Sequence, residues 1–169
     1  HDSHEACQRP HQQHALQHAQ RGLARLPFGT RGVLQLIGTP WFQALSEGGG
    51  ETFARALLSQ EGPALSGRES LRDLLERLVV ELNLTTGAEE LMTLWRRATP
   101  DPVAWEAVRD LRAAGYLTVL ATNQQKERRE WMRTVLGYDG LCDVDAYSCV
   151  LGVAKPEPGY FQAVLDATD

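Results

Sequence analysis

LTVLATNQQKERREWMRTVLGYDGLCDVDAYSCVLGVAKPEPGYF, residues 117–161, decides how the rest of the chain is read. Residues 117–121 form a short apolar run that suits a fully buried strand. Thr122-Asn123 follows, and Asn123 can cap a helix over 124–136 with Trp131, Met132, Val135 and Leu136 inward and Gly137 closing it. Residues 143–148 read as a weaker strand. Lys155-Pro-Glu-Pro158 then leads into a last helix, with Pro158 near its start and Phe161, Val164 and Leu165 inward. Strand, helix, strand, helix in this order implies parallel strands with right-handed crossovers. Ligands of such sheets sit at the carboxyl ends of the strands. Thr122 is at one such end and Lys155 is in the loop beyond the other. A hydroxyl near a helix N-terminus can donate to a phosphoryl oxygen, and a nearby lysine offsets negative charge during transfer.

Upstream, Asp101 and Pro102 read as the cap and first position of a helix with Val103, Ala104, Ala107, Val108 and Leu111 on one face and Gly115 at its end. Residues 51–98 read as helices only. One covers 51–60. Ser66-x-x-Glu69 and Thr86-x-x-Glu89 have the form of capping boxes. The first precedes a stripe of Leu71, Leu74, Leu75, Leu78, Val79 and Leu82, and the second precedes Leu91, Leu94 and Trp95. Both stripes have the spacing of a buried face. Residues 31–40, RGVLQLIGTP, suit either a buried strand or a loop packed beneath the helices. Residues 41–50 run into GGG, read as a flexible joint. The segment 1–30 is polar and His-rich, with a helix expected over 10–26; His11, His14 and His18 would share a face that could hold a metal ion, but a solvated polar helix or a disordered tail is the expected reading.

The composition is that of a globular protein, 43% hydrophobic and 23% charged over 169 residues. A net charge of -5 gives no electrostatic case for nucleic acid or an anionic membrane as partner. No apolar run approaches the ~20 residues of a membrane span. The three cysteines (Cys7, Cys142, Cys149) lack CxxC spacing, and no signal peptide is visible; a cytoplasmic location is expected. All five histidines precede residue 20, so a Cys149 hydrolase has little support. Asp143 and Asp145 alternate on one strand face and are expected to face solvent.

The quoted stretch resembles the haloacid dehalogenase-like (HAD) hydrolases, especially the subfamily I type with a helical cap inserted after the first strand. Thr122-Asn123 matches the family's second motif, and Lys155 followed by Pro-x-Pro matches the third. The resemblance implies an α/β fold, a three-layer Rossmann-like parallel sheet. It divides the chain into a partial core at 31–40 and 100–169 and a helical cap at 41–99. It implies catalytic roles for Thr122 and Lys155 in charge and phosphoryl stabilisation. Thr122, Asn123 and Lys155 become the substrate-binding set, Mg²⁺ the family cofactor, and a small phosphomonoester the substrate.

The first motif, DxDx[TV], is not found. Gly38-Thr39 looks like its tail, but VLQLIGTP has no acid, and neither Leu nor Gln can replace a carboxylate nucleophile. The fourth motif, an acidic pair for Mg²⁺, would follow one more strand, and Asp166 and Asp169 read as surface acids. No metal ligand is therefore assigned. The fold is expected to be incomplete and the chain inactive as a phosphatase. The alternative is a non-catalytic HAD-like module that binds an anion or, through its helices, a protein partner.

Overall fold

The computed structural model describes residues 33–168. The expected helix over 10–26 and its histidines, Cys7 and Asp169 lie outside them. The fold is α/β, with short parallel and antiparallel sheets and a large helical share.

The chain enters through β1 (Gln35–Leu36) and passes to α1 (Trp41–Gln60), α2 (Gly62–Leu65), α3 (Leu71–Glu81), α4 (Ala88–Met92) and a 3₁₀ turn (Thr93–Arg96). It returns through β2 (Thr99–Pro100), which pairs antiparallel with β1. The strand expected within 31–40 is thus a two-residue piece that flanks the helical block. It lies in a sheet separate from the parallel strands. The helical block has its own core, with Leu45, Phe53, Leu57, Leu71, Leu74 and Leu78 fully buried. The stripe on α3 is therefore the buried face its spacing implies.

Local signals here misplace several boundaries. GGG does join two helical pieces: the span Trp41–Gln60 is kinked at Gly50, whose φ of 88° and ψ of 163° are not helical. Gly48 and Gly49 lie against the side chains of Leu94 and Phe53, which would have to shift to admit a Cβ. Neither expected capping box caps. Ser70 is the N-cap of α3, its Oγ accepting from Asp73 N at 2.9 Å. Ser66 lies in the turn before it and donates to Gly62 O at 3.0 Å. Gly87 precedes α4, while Thr86 Oγ1 donates to Gly48 O at 3.1 Å. Hydroxyls four residues apart offer equivalent local patterns, and tertiary contacts select between them.

Next come α5 (Pro102–Ala113), β3 (Val119–Thr122), α6 (Lys126–Thr134), β4 (Val144–Tyr147), α7 (Ser148–Leu151) and α8 (Pro158–Asp166). β3 and β4 are parallel, Val119 opposite Val144 and Thr122 opposite Tyr147. Asp101 caps α5, accepting from Val103 N at 3.0 Å. The expected inner faces are corrected on three helices. On α5 the buried residue is Trp105, edge-on to Tyr138 at 4.8 Å, while Val103 and Leu111 are exposed. On α6 Met132 is buried as expected and Leu136 packs beside it, but Arg128 is buried too and Val135, just past the helix end, is exposed. On α8 Tyr160 is buried and Phe161 and Leu165 are exposed. The cause is shared: the parallel sheet has two strands among the described residues, too narrow to cover full helix faces. Leu117, expected in the strand, precedes it and is exposed.

The two parts are tied by polar contacts. Glu127 of α6 accepts from Leu71 N at 3.1 Å, at the start of α3, where free N–H groups favour a carboxylate. Ser148 Oγ, fully buried, donates to Leu65 O at 2.6 Å and accepts from Gln124 N at 3.0 Å. No described helix is long and apolar enough to cross a membrane.

Candidate functional site

The loops after β3 and β4 meet, as a parallel pair requires. Thr122 ends β3, half-buried, and its Oγ1 accepts from Gln124 Nε2 at 3.0 Å. Asn123 does not cap α6, whose N-cap is Gln125. Its amide instead spans the gap to the next loop. Nδ2 donates to Lys155 O at 2.9 Å, and Oδ1 accepts from Lys155 N at 2.9 Å. One side chain thereby fixes the backbone of the residue that carries the positive charge.

Lys155 is half-buried and directs Nζ to Ala121 O at 2.9 Å, on β3 just before Thr122. Nζ also lies 5.8 Å from the centre of the Tyr160 ring. Tyr160 is buried and donates to Ala146 O at 2.6 Å, which holds the ring beneath the loop. Burial pushes the Lys155 ammonium below its ordinary range. No carboxylate among the described residues pairs with it. Thr122, Asn123 and Lys155 are therefore brought together, with the cation near the strand end and uncompensated.

Asp143 and Asp145 take no part. Both are exposed. Asp143 accepts from Arg112 Nε at 2.9 Å and Thr118 N at 2.9 Å, and these donors hold its carboxyl below the usual range. Cys149 is buried, and burial pushes its thiol up, away from nucleophile chemistry.

A cavity of about 280 Å³ opens on the other side of Asn123. Gln35, Ile37, Thr39, Glu61, Gln124 and Arg128 line it along with the apolar side chains of the helical block. Thr122 and Lys155 do not line it. Counting back from Thr39, Gln35 and Ile37 stand at the two acid positions of DxDx[TV]. The Gln35 amide is engaged by Arg128, whose Nη2 donates to Oε1 at 2.7 Å. Glu61 accepts from Gln125 Nε2 at 3.1 Å, and desolvation raises its pKa to about 7. Gln35, Glu61, Gln125 and Arg128 were invisible as site residues in the sequence, because no motif joins α1, α6 and β1. A buried arginine opposite a glutamine is a tertiary fact.

The HAD family generally uses Mg²⁺, a hard cation that needs oxygen ligands from charged carboxylates. Among the described residues no group of three or more His, Cys, Asp or Glu side chains could hold a metal ion. The carboxylate in the cavity, Glu61, favours its proton up to about pH 7, and the Gln35 amide and the apolar Ile37 side chain occupy the acid positions. This donor set does not fit Mg²⁺.

No curated protein matches the chain. The family model described as haloacid dehalogenase-like hydrolase matches residues 8–169. It extends well beyond the stretch that carries the second and third motifs. With the parallel β3–β4 pair, and with the threonine and lysine loops joined at its carboxyl end, the chain belongs to the haloacid dehalogenase-like hydrolases.

Proposed function

We propose that this chain is a phosphomonoester-directed HAD-like module that holds a phosphoryl group between Thr122 and Lys155 and does not turn it over. The observation that carries this is Lys155: a half-buried ammonium on a backbone carbonyl, with no carboxylate partner among the described residues. A desolvated, unpaired cation favours an anion more than a solvated one does. The Thr122 hydroxyl accepts from Gln124, which leaves its own proton to donate to a phosphoryl oxygen. Asn123 is the positioning residue, since it holds Lys155 through the backbone. The helices over 41–99 serve as the cap, with α/β core segments at 31–40 and 100–169. Catalysis is missing because Gln35 and Ile37 replace the acids: an amide forms no acyl phosphate and relays no proton.

Two assays test this. Calorimetric titration with inorganic phosphate is expected to show binding that weakens about tenfold or more in Thr122→Ala/Lys155→Ala. Unchanged affinity removes the anion site. Incubation with p-nitrophenyl phosphate and Mg²⁺ is expected to give no turnover above buffer. Turnover that vanishes in Lys155→Ala overturns the inactive reading and restores a phosphatase.

A further inference from the structure

Gln124, in the loop between β3 and α6, lies outside both motifs, yet it touches the hydroxyl on which the phosphoryl site depends. Its Nε2 donates to Thr122 Oγ1 at 3.0 Å. A threonine hydroxyl has a single proton and two acceptor lone pairs, and the proton rotates to suit its surroundings. A donor on the oxygen occupies a lone pair and turns the proton elsewhere. Without that donor the hydroxyl is free to give its proton to a nearby backbone carbonyl, as threonine side chains readily do. Gln124 thus sets which way Thr122 presents its proton at the strand end.

The amide can do this only while its own backbone is held. Gln124 N donates to Ser148 Oγ at 3.0 Å, and Ser148, fully buried at the start of α7, donates to Leu65 O at 2.6 Å. Ser148 Oγ also lies 3.4 Å from Gln124 O, but its single proton serves the shorter contact. A buried hydroxyl with its partners satisfied is costly to rearrange, so the loop is pinned where Nε2 meets Thr122. Leu65 ends α2, and the contacts therefore run from the helical block through Ser148 and Gln124 to Thr122. Lys155 is held separately, through Asn123.

We propose that Gln124 is the positioning residue for Thr122: its amide turns the hydroxyl proton toward the phosphoryl group, and Ser148 holds the loop in place against the helical block. This rests on the phosphoryl site assigned to Thr122 and Lys155, and it gives Gln124 no contact with the ligand.

The test is a double-mutant cycle read by calorimetric titration of the full chain with inorganic phosphate. Gln124→Leu is of similar size and keeps the backbone bond to Ser148, but it removes the donor. It is expected to weaken phosphate binding about fivefold. In a Thr122→Val background, which keeps the shape and lacks the hydroxyl, the same change is expected to alter affinity by less than about twofold. In a Thr122→Ser background, which keeps the hydroxyl, the loss of about fivefold is expected again. Unchanged affinity in Gln124→Leu overturns the positioning role. So does an equal loss with and without the hydroxyl, which would show that Gln124 supports the fold or meets phosphate itself. Thr122→Val that binds phosphate as tightly as the unaltered chain removes the phosphoryl site, and the proposal with it. Should Thr122→Val fail to fold, Thr122→Ala takes its place in the cycle, with the same outcomes deciding.

Discussion

Asn123 uses both ends of its amide on one neighbour, Lys155. Replacing it with alanine leaves a half-buried N–H and carbonyl without partners, at a cost of roughly 1–3 kcal/mol. Asn123→Ala is therefore expected to lower the urea midpoint and weaken phosphate binding together. A melt that falls with phosphate affinity unchanged would deny it the positioning role. Glu61 makes the opposite kind of prediction. Its folded pKa is about 7 against an ordinary 4.5, so the folded state binds the proton more tightly than the unfolded state. The protonated acid is tolerated below pH 4.5 in both states, and stability falls as pH rises from 4.5 towards 7. The loss is on the order of 2–3 kcal/mol. Gln125 donates to Glu61, and Arg97 and Arg128, which line the same cavity, stay charged throughout. Glu61→Gln removes the ionisation, and its melts at pH 5 and pH 8 are expected to differ less than those of the unaltered chain. An equal pH dependence would show that Glu61 ionises freely.

At the scale of elements, the turn between α2 and α3 fixes how the helical block meets the α/β part. Gly67 has φ 71°, and a Cβ there would collide with the carbonyl oxygen of Cys149 in α7. Both the backbone conformation and the close approach demand glycine. Gly67→Ala is expected to destabilise the chain by about 2 kcal/mol or more, measured by denaturant melts. A neutral substitution would mean the turn adjusts freely. The start of α3 shows the same coupling between parts. Ser70 satisfies one end-group locally, while Glu127 reaches it from α6.

For the whole molecule, the parallel sheet ends at β3 on one side, because β1 pairs with β2 instead. Among the described residues that edge of β3 carries no strand, and exposed Leu117 and Tyr116 lie just before it. An open edge beside apolar surface is a template for self-association. Sedimentation is expected to show association that rises with concentration and is reduced by Leu117→Lys. Monomeric behaviour throughout the micromolar range would show the edge to be covered.

The sequence by itself determined the family and the parts of the fold whose signals are local. The Leu71–Leu78 stripe, the Asp101 cap of α5 and the order of the two parallel strands follow from spacing and turn chemistry within short windows. Thr122, Asn123 and Lys155 were legible because their motifs survive around them. Only the tertiary structure decided what each does next. Asn123 could cap a helix or hold a loop, and the loop won because Lys155 lies within reach across the parallel pair. The inner faces of α5, α6 and α8 depend on what lies beneath them: beside a two-stranded sheet Met132 is buried as its spacing implies, while Trp105, Arg128 and Tyr160 are buried and Val103, Leu111, Val135, Phe161 and Leu165 stay exposed. Arg128, Glu61 and Gln35 read as ordinary polar residues in the chain. Burial around one cavity, contributed by elements far apart in sequence, changes their charge balance.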